Sequence, residues 1–199
     1  MKFFQRADRT PVRIGILPGT FNPVTVAHLA LAQAALSQVD EVVFVMPQVL
    51  PHKTFIGASF DERIQMLRML LPRDSPFSIA TSAGGLFREI AAEYRIDFGP
   101  EAQLTFLCGR DAAERIASWD YGDPGAFQAM LREFNLLVAA RHGEYEVPGG
   151  LQGAIAQLEL RGDYDHVSSS EVRQRIKEAK AWEHLVPAEI HDPVRRIYG

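Results

Sequence analysis

Two short segments near opposite ends of the chain carry the residue types that could do chemistry. They are Gly19-Thr20-Phe21-Asn22-Pro23-Val24-Thr25-Val26-Ala27-His28 and Val167-Ser168-Ser169-Ser170-Glu171-Val172-Arg173. Each gathers hydroxyls, backbone N–H groups and a cationic or hydrogen-bonding side chain where a helix is expected to begin. That combination suits a polyphosphate, because the first turn of a helix offers unpaired N–H groups and a partial positive charge. In the first segment an apolar run, Val12 to Leu17, reads as a buried strand, and Leu29 to Leu36 reads as a helix. The segment is thus a strand–loop–helix corner where a glycine lets the backbone approach a ligand. His28 falls in the first turn three residues after Thr25, so both side chains lean toward the strand end. Without context, Thr25 reads equally well as a helix N-cap and His28 as a satisfied first-turn histidine.

Taken together, the two segments resemble the nucleotidyltransferase superfamily of α/β phosphodiesterases, marked by a (His/Thr)-x-Gly-His motif after the first strand and an Ile-Ser-Ser-Thr-x-x-Arg motif near the C-terminus. Thr25 and His28 match the first motif at its functional positions, and the Val167–Arg173 stretch matches the second with conservative changes. Three further stretches resemble one branch, the bacterial nicotinate-nucleotide adenylyltransferases. These are Val45-Met46-Pro47 through Pro51-His52-Lys53, then Phe106-Leu107-Cys108-Gly109-Arg110-Asp111 with Trp119 beyond it, and His184-Leu185-Val186-Pro187. The resemblance runs from about Val12 to Tyr198. Two positions depart from it. Ala27 stands in place of the motif glycine, and Ala80-Thr81-Ser82-Ala83-Gly84-Gly85-Leu86 lacks the Tyr-Thr pair that the branch uses to hold the nicotinate ring and carboxylate.

The resemblance implies ATP-dependent adenylyl transfer to a pyridine mononucleotide, nicotinate mononucleotide first, with release of pyrophosphate in NAD biosynthesis. In such a transfer an acceptor phosphate oxygen attacks the α-phosphorus in line, and the protein positions both substrates and neutralises charge on the phosphate oxygens. His28 is then the chief donor to the α-phosphate, with Thr25, Gly19, Thr20 and Phe21 beside it. Ser168, Ser169, Ser170 and Arg173 would hold the terminal phosphates, the guanidinium fork matching phosphate. Gly109 and Asp111 would meet the nucleotide, Asp111 orienting the ribose or merely capping a helix. His52 and Lys53 would meet the acceptor phosphate and Trp119 would stack on its ring. Mg²⁺ would arrive with ATP, since no carboxylate cluster has metal-ligand spacing and the six histidines show no zinc pattern. The same chemistry with pantetheine phosphate, FMN or an alcohol phosphate as acceptor is the nearest alternative, and a nucleotide-binding module without turnover, suggested by Ala27, is the other.

These residues need a scaffold. Apolar runs rich in β-branched residues recur at Val12–Leu17, Glu41–Met46, Phe77–Thr81, Leu104–Gly109 and Leu136–Ala140, with Leu158–Arg161 a weaker sixth. Between them lie helical patterns. Ser59-Phe60-Asp61-Glu62 is a capping box opening a helix with Ile64, Met66, Leu67, Met69, Leu70 and Leu71 as its core stripe; Gly85–Tyr94 and Pro124–Phe134 are further helices. This alternation predicts a doubly wound, mostly parallel α/β sheet of Rossmann-like type, with ligands at the strands' carboxyl ends. The chain divides into an extension ahead of the first strand (1–11), an α/β core (12–166) and a helical C-terminal part (167–199). Pro47–Gly57 and Gly143–Gly150 read as long loops. The tail after Arg173 reads as helix broken at Pro187 and Pro193, capping the sheet edge.

Composition sets the outer bounds. With 199 residues, 47% of them hydrophobic, one well-buried domain with a small appendage is expected. A net charge of −4 provides no global attraction to nucleic acid or an anionic membrane, so any phosphate site must be local. A single cysteine, Cys108, excludes an intrachain disulfide and suits the cytoplasm. No leader or membrane span is expected, the partners are small molecules, and a homo-oligomer is compatible with the sequence.

Overall fold

In the computed structural model, residues 1–8, 11–49, 57–118, 125–139, 145–147 and 149–199 are described. Seven strands form one sheet: β1 (Lys2–Gln5), β2 (Arg13–Pro18), β3 (Glu41–Pro47), β4 (Phe77–Ser82), β5 (Gln103–Gly109), β6 (Asn135–Ala139) and β7 (Ile155–Leu158), in the order β1-β4-β3-β2-β5-β6-β7. All neighbours are parallel except β1, which runs antiparallel along β4. The six parallel strands thus follow the doubly wound order 3-2-1-4-5-6. The order reverses between β2 and β5, and the crevice at the carboxyl ends of that pair is where such sheets bind ligands.

The central strands are apolar throughout because both faces are covered. All of β3 is buried: Val42, Phe44 and Met46 face one cluster, Val43 and Val45 the other. The first cluster lies under α1 (Val26–Ala35) and α2 (Phe60–Leu70). On the opposite face lie α3 (Phe87–Phe98), α4 (Arg110–Ala117) and the short α5 (Ala126–Met130), where Phe87 stacks on Phe106 at 4.3 Å. The predicted capping box opens α2, with Ser59 Oγ accepting from Glu62 N and Glu62 Oε2 accepting from Ser59 N.

Several expectations need correction. The segment read as an extension contributes β1, a strand too short for its alternation to register in sequence. The weaker sixth strand lies three residues earlier than expected, ending rather than starting at Leu158. Met69 is half exposed, while Arg63 is buried on the same helix. The helix expected over 124–134 is confined to α5. The tail forms α6 (Ser169–Lys177), two short 3₁₀ turns (Glu183–Leu185 and Ala188–Ile190) and α7 (His191–Tyr198). Pro193 sits in the first turn of α7, where its missing N–H costs nothing, and so it does not break that helix. Nor does the tail cap the sheet edge. Val172, Trp182, Leu185, Val186, Ile190 and Val194 pack into the first cluster, on the face covered by α1 and α2.

Candidate active site

The loop after β2 is built around buried Phe21 and Asn22. Phe21 has a left-handed backbone (φ +47°), a strained conformation for a residue with a side chain. Its ring lies under Gly19, where an added Cβ would come within 2.8 Å of it, so only glycine fits there. The same ring meets the His28 imidazole edge-on at 5.3 Å and packs against Phe44. Phe21, expected among the phosphate contacts, is therefore 1% exposed, and its ring is packing beneath the site.

Thr25 caps α1 and His28 occupies its third position. The backbone N–H of Thr25 donates to His28 Nδ1 at 3.0 Å. An N–H can only donate, so Nδ1 is the acceptor and the proton of the neutral ring sits on Nε2. Thr25 Oγ1 lies 2.7 Å from the same nitrogen. Thr25 itself is fully buried, its hydroxyl turned to His28. The first turn of α1 contains no acidic residue, leaving its positive end uncancelled for an anion. Ala27 is 4% exposed and belongs to the first core cluster, so the methyl that replaces the motif glycine is absorbed in packing.

The C-terminal segment docks on this loop across a sequence separation of about 150 residues. Ser169 Oγ donates to the Pro23 carbonyl at 2.7 Å. Arg173 Nη1 donates to the carbonyls of Asn22 (2.5 Å) and Ser169 (3.1 Å), and Nη2 to Ser170 Oγ (3.3 Å). Ser168 caps α6, its Oγ accepting from Glu171 N. The structure thus brings His28, Ser170 and Arg173 to one loop, but it commits the Ser168 and Ser169 hydroxyls to capping and docking.

Arg63 escaped the sequence reading. It is 6% exposed, and its guanidinium donates to the Thr20 carbonyl at 2.9 Å and the Ser59 carbonyl at 3.2 Å, tying α2 to the motif loop. Burial pulls its pKa below the ordinary value, and interaction with Tyr198 opposes that. The available signal was an arginine four residues before Leu67, on the apolar stripe of α2. Tyr198 was missed as well: its hydroxyl donates to Asn22 Oδ1 at 2.5 Å.

On the other side of the crevice, Gly109 caps α4 and exposed Asp111 lies within its first turn, so Asp111 is not the cap. Burial pushes the Cys108 thiol up to about 12, which removes it as a nucleophile. At the end of β4, the Thr81 hydroxyl donates to the Met46 carbonyl and that of Ser82 to the Gly84 carbonyl in the loop that follows. The N–H groups of Ala83 and Gly84 donate to Glu93, and those of Gly85 and Leu86 to Glu89. The Thr81 and Ser82 hydroxyl protons are therefore both engaged within the chain. His52, Lys53 and Trp119 lie outside the described residues. Among the described residues no three His, Cys, Asp or Glu side chains converge to hold a metal, and no helix is long and apolar enough to cross a membrane.

The motif loop and the Arg-bearing helix that docks on it both fall within the match to one family model. The cytidylyltransferase-like model covers residues 16–175, from β2 through most of α6. The chain belongs to the cytidylyltransferase-like family. Among curated relatives, this member is 29% identical to a probable nicotinate-nucleotide adenylyltransferase of Moorella thermoacetica, over 93% of this chain and 90% of the relative. It is likewise 29% identical to one of Carboxydothermus hydrogenoformans, over 90% and 94%. Its fold resembles that of Plasmodium falciparum nicotinic acid mononucleotide adenylyltransferase complexed with NaAD, with a TM-score of 0.70, 17% identity and coverage of 92% of this chain and 93% of that one. As a member of this family it is a nucleotidyltransferase with a Rossmann-like fold.

Proposed function

We propose that this nucleotidyltransferase transfers AMP from ATP to nicotinate mononucleotide, giving the dinucleotide and pyrophosphate. The observation that carries the reading is the fixed tautomer of His28 at the positive end of α1, on the loop where Arg173 docks. The names of the relatives support the choice of substrates. In the reaction a phosphate oxygen of the acceptor forms a bond to the α-phosphorus as the bond to the β-phosphate bridging oxygen breaks. His28 Nε2–H donates to a non-bridging α-phosphate oxygen, where charge grows in the transition state. Arg173 and Ser170 receive the β- and γ-phosphates and then the departing pyrophosphate. Mg²⁺ bound to ATP as part of the substrate would supply further charge neutralisation on the phosphates. His52 and Lys53 would receive the acceptor phosphate, Trp119 its ring, and Asp111 beside Gly109 the ribose of ATP. The setting is the cytoplasm.

One observation favours a second reading of the acceptor. The N–H donors of the β4–α3 loop are held by Glu93 and Glu89, whose carboxylates would suit a carboxamide better than a carboxylate. Pyrophosphate release with ATP or CTP and a panel of nicotinate mononucleotide, nicotinamide mononucleotide, pantetheine phosphate and FMN decides the matter. The expected result is the highest kcat/KM with ATP and nicotinate mononucleotide. Preference for the amide would install the second reading, and turnover only with another acceptor would overturn both.

A further inference from the structure

Tyr198 belongs to none of the phosphate motifs, yet its side chain ends inside the first of them. Its hydroxyl donates to Asn22 Oδ1, and that oxygen also accepts from Ala58 N at 3.1 Å. Gly57 adopts φ +125° against the pair. A Cβ there would come within 2.7 Å of Asn22 Oδ1 and 3.0 Å of the tyrosine ring, so the backbone closes on this junction as only glycine allows. The other end of Asn22, its carbonyl, receives Arg173 Nη1. One residue of the loop is therefore held at its side chain by Tyr198 and Ala58, and at its backbone by the arginine expected to meet the terminal phosphates. Burial pushes the phenol up to about 12, against the opposing effects of the Ala58 N–H and the charges of Arg173 and Arg63, so it stays a donor at neutral pH.

We propose that Tyr198 is a positioning residue for nucleotidyl transfer, setting the orientation of Asn22 and through its carbonyl that of Arg173. This role for Tyr198 rests on Arg173 being a phosphate ligand, as proposed above. It does not depend on which acceptor is used. Removing the hydroxyl takes away one of the holds on Asn22 Oδ1, loosening its grip on the Ala58 N–H, while leaving the ring's packing in place. A misaligned arginine costs most where the geometry is most demanding, in the transition state.

The test is Tyr198→Phe, assayed with ATP and whichever acceptor the panel identifies, alongside hydrogen exchange of the Ala58 amide in the substrate-free protein. Expected are a kcat lower by about tenfold, a KM for ATP within about twofold of wild type, and Ala58 exchange faster by about threefold or more. The melting temperature should stay within a few degrees. Unchanged Ala58 exchange overturns the proposal, as does an unchanged kcat. So does a fall in kcat accompanied by faster exchange throughout α6 and α7, since that would report loss of packing. Failure of every acceptor in the panel would count against the assigned function, while the exchange measurement still decides whether Tyr198 holds the junction.

Discussion

The two ends of the parallel sheet use charge in opposite ways. At the amino ends, charged groups are matched to groups that satisfy them. Asp40 binds the Arg13 guanidinium and the N–H groups of Val12 and Arg13, and those bonds, the guanidinium first, hold its carboxyl down to about 2. Buried Glu41 accepts from the Ser78 hydroxyl, which itself accepts from Ala7 N. At the carboxyl ends around α1, Arg63 and Arg173 donate instead to carbonyls, of Thr20 and Asn22 in the motif loop and of Ser59 and Ser169 at the starts of their own helices. A carbonyl orients a guanidinium without cancelling its charge, whereas a carboxylate does both. One end pairs charge with charge, and the other orients it with neutral carbonyls, as the proposed phosphate site requires.

Substitutions can break that comparison by showing an activity effect at the amino end or a purely structural one at the carboxyl end. His28→Ala should have the largest effect, lowering kcat by roughly 10² or more with ATP affinity within about tenfold, as expected for loss of a transition-state donor. Steady-state pyrophosphate release and calorimetry read the two quantities. Ser78→Ala should come next but in stability alone. It leaves a buried carboxylate and a buried N–H each short of a partner, for a loss of about 2–3 kcal/mol in urea denaturation with kcat unchanged. Arg173→Lys keeps the charge but loses the fork, so kcat/KM for ATP should fall by about tenfold while acceptor affinity is spared. If titration calorimetry finds ATP binding intact and acceptor binding weakened, the assignment of Arg173 is wrong.

The smallest effect belongs to Asp40→Asn. Its carboxyl titrates lower in the folded chain than in the unfolded one, so the stabilisation is present above the unfolded value near 4 and disappears as pH falls through about 2. Because the pair is exposed, the variant should lose no more than about 2 °C in Tm at pH 7. That difference should vanish in melts near pH 2, with activity at neutral pH untouched.

The parallel strands were legible because strands covered on both faces must be apolar throughout, as β3 is. The motif corner was legible because helix starts need capping groups at fixed spacing. What escaped depended on distant partners. β1 is defined by its pairing with β4, not by its own four residues. The tail turns onto the sheet face because Trp182, Leu185 and Ile190 find the first cluster there, which no local periodicity announces. At the candidate site, residue types and order singled out Thr25, His28 and Arg173, which the structure places on or against the motif loop. What the spacing did not announce is the burial of Thr25 and the contact of its N–H and hydroxyl with His28 Nδ1, which depend on how the corner packs. Arg63 drew no notice because its partners, the Thr20 and Ser59 carbonyls, carry no side-chain signature.

The lone thiol has a practical consequence. Cys108 is buried on β5, within the second core cluster and beside the crevice, and it is almost wholly protonated at neutral pH. The native fold therefore shields it from maleimides and mild oxidants. A cysteine introduced on an exposed surface can carry a fluorophore or spin label while Cys108 stays in place, so distances across the crevice become measurable during turnover without first stripping the chain of its own sulfhydryl.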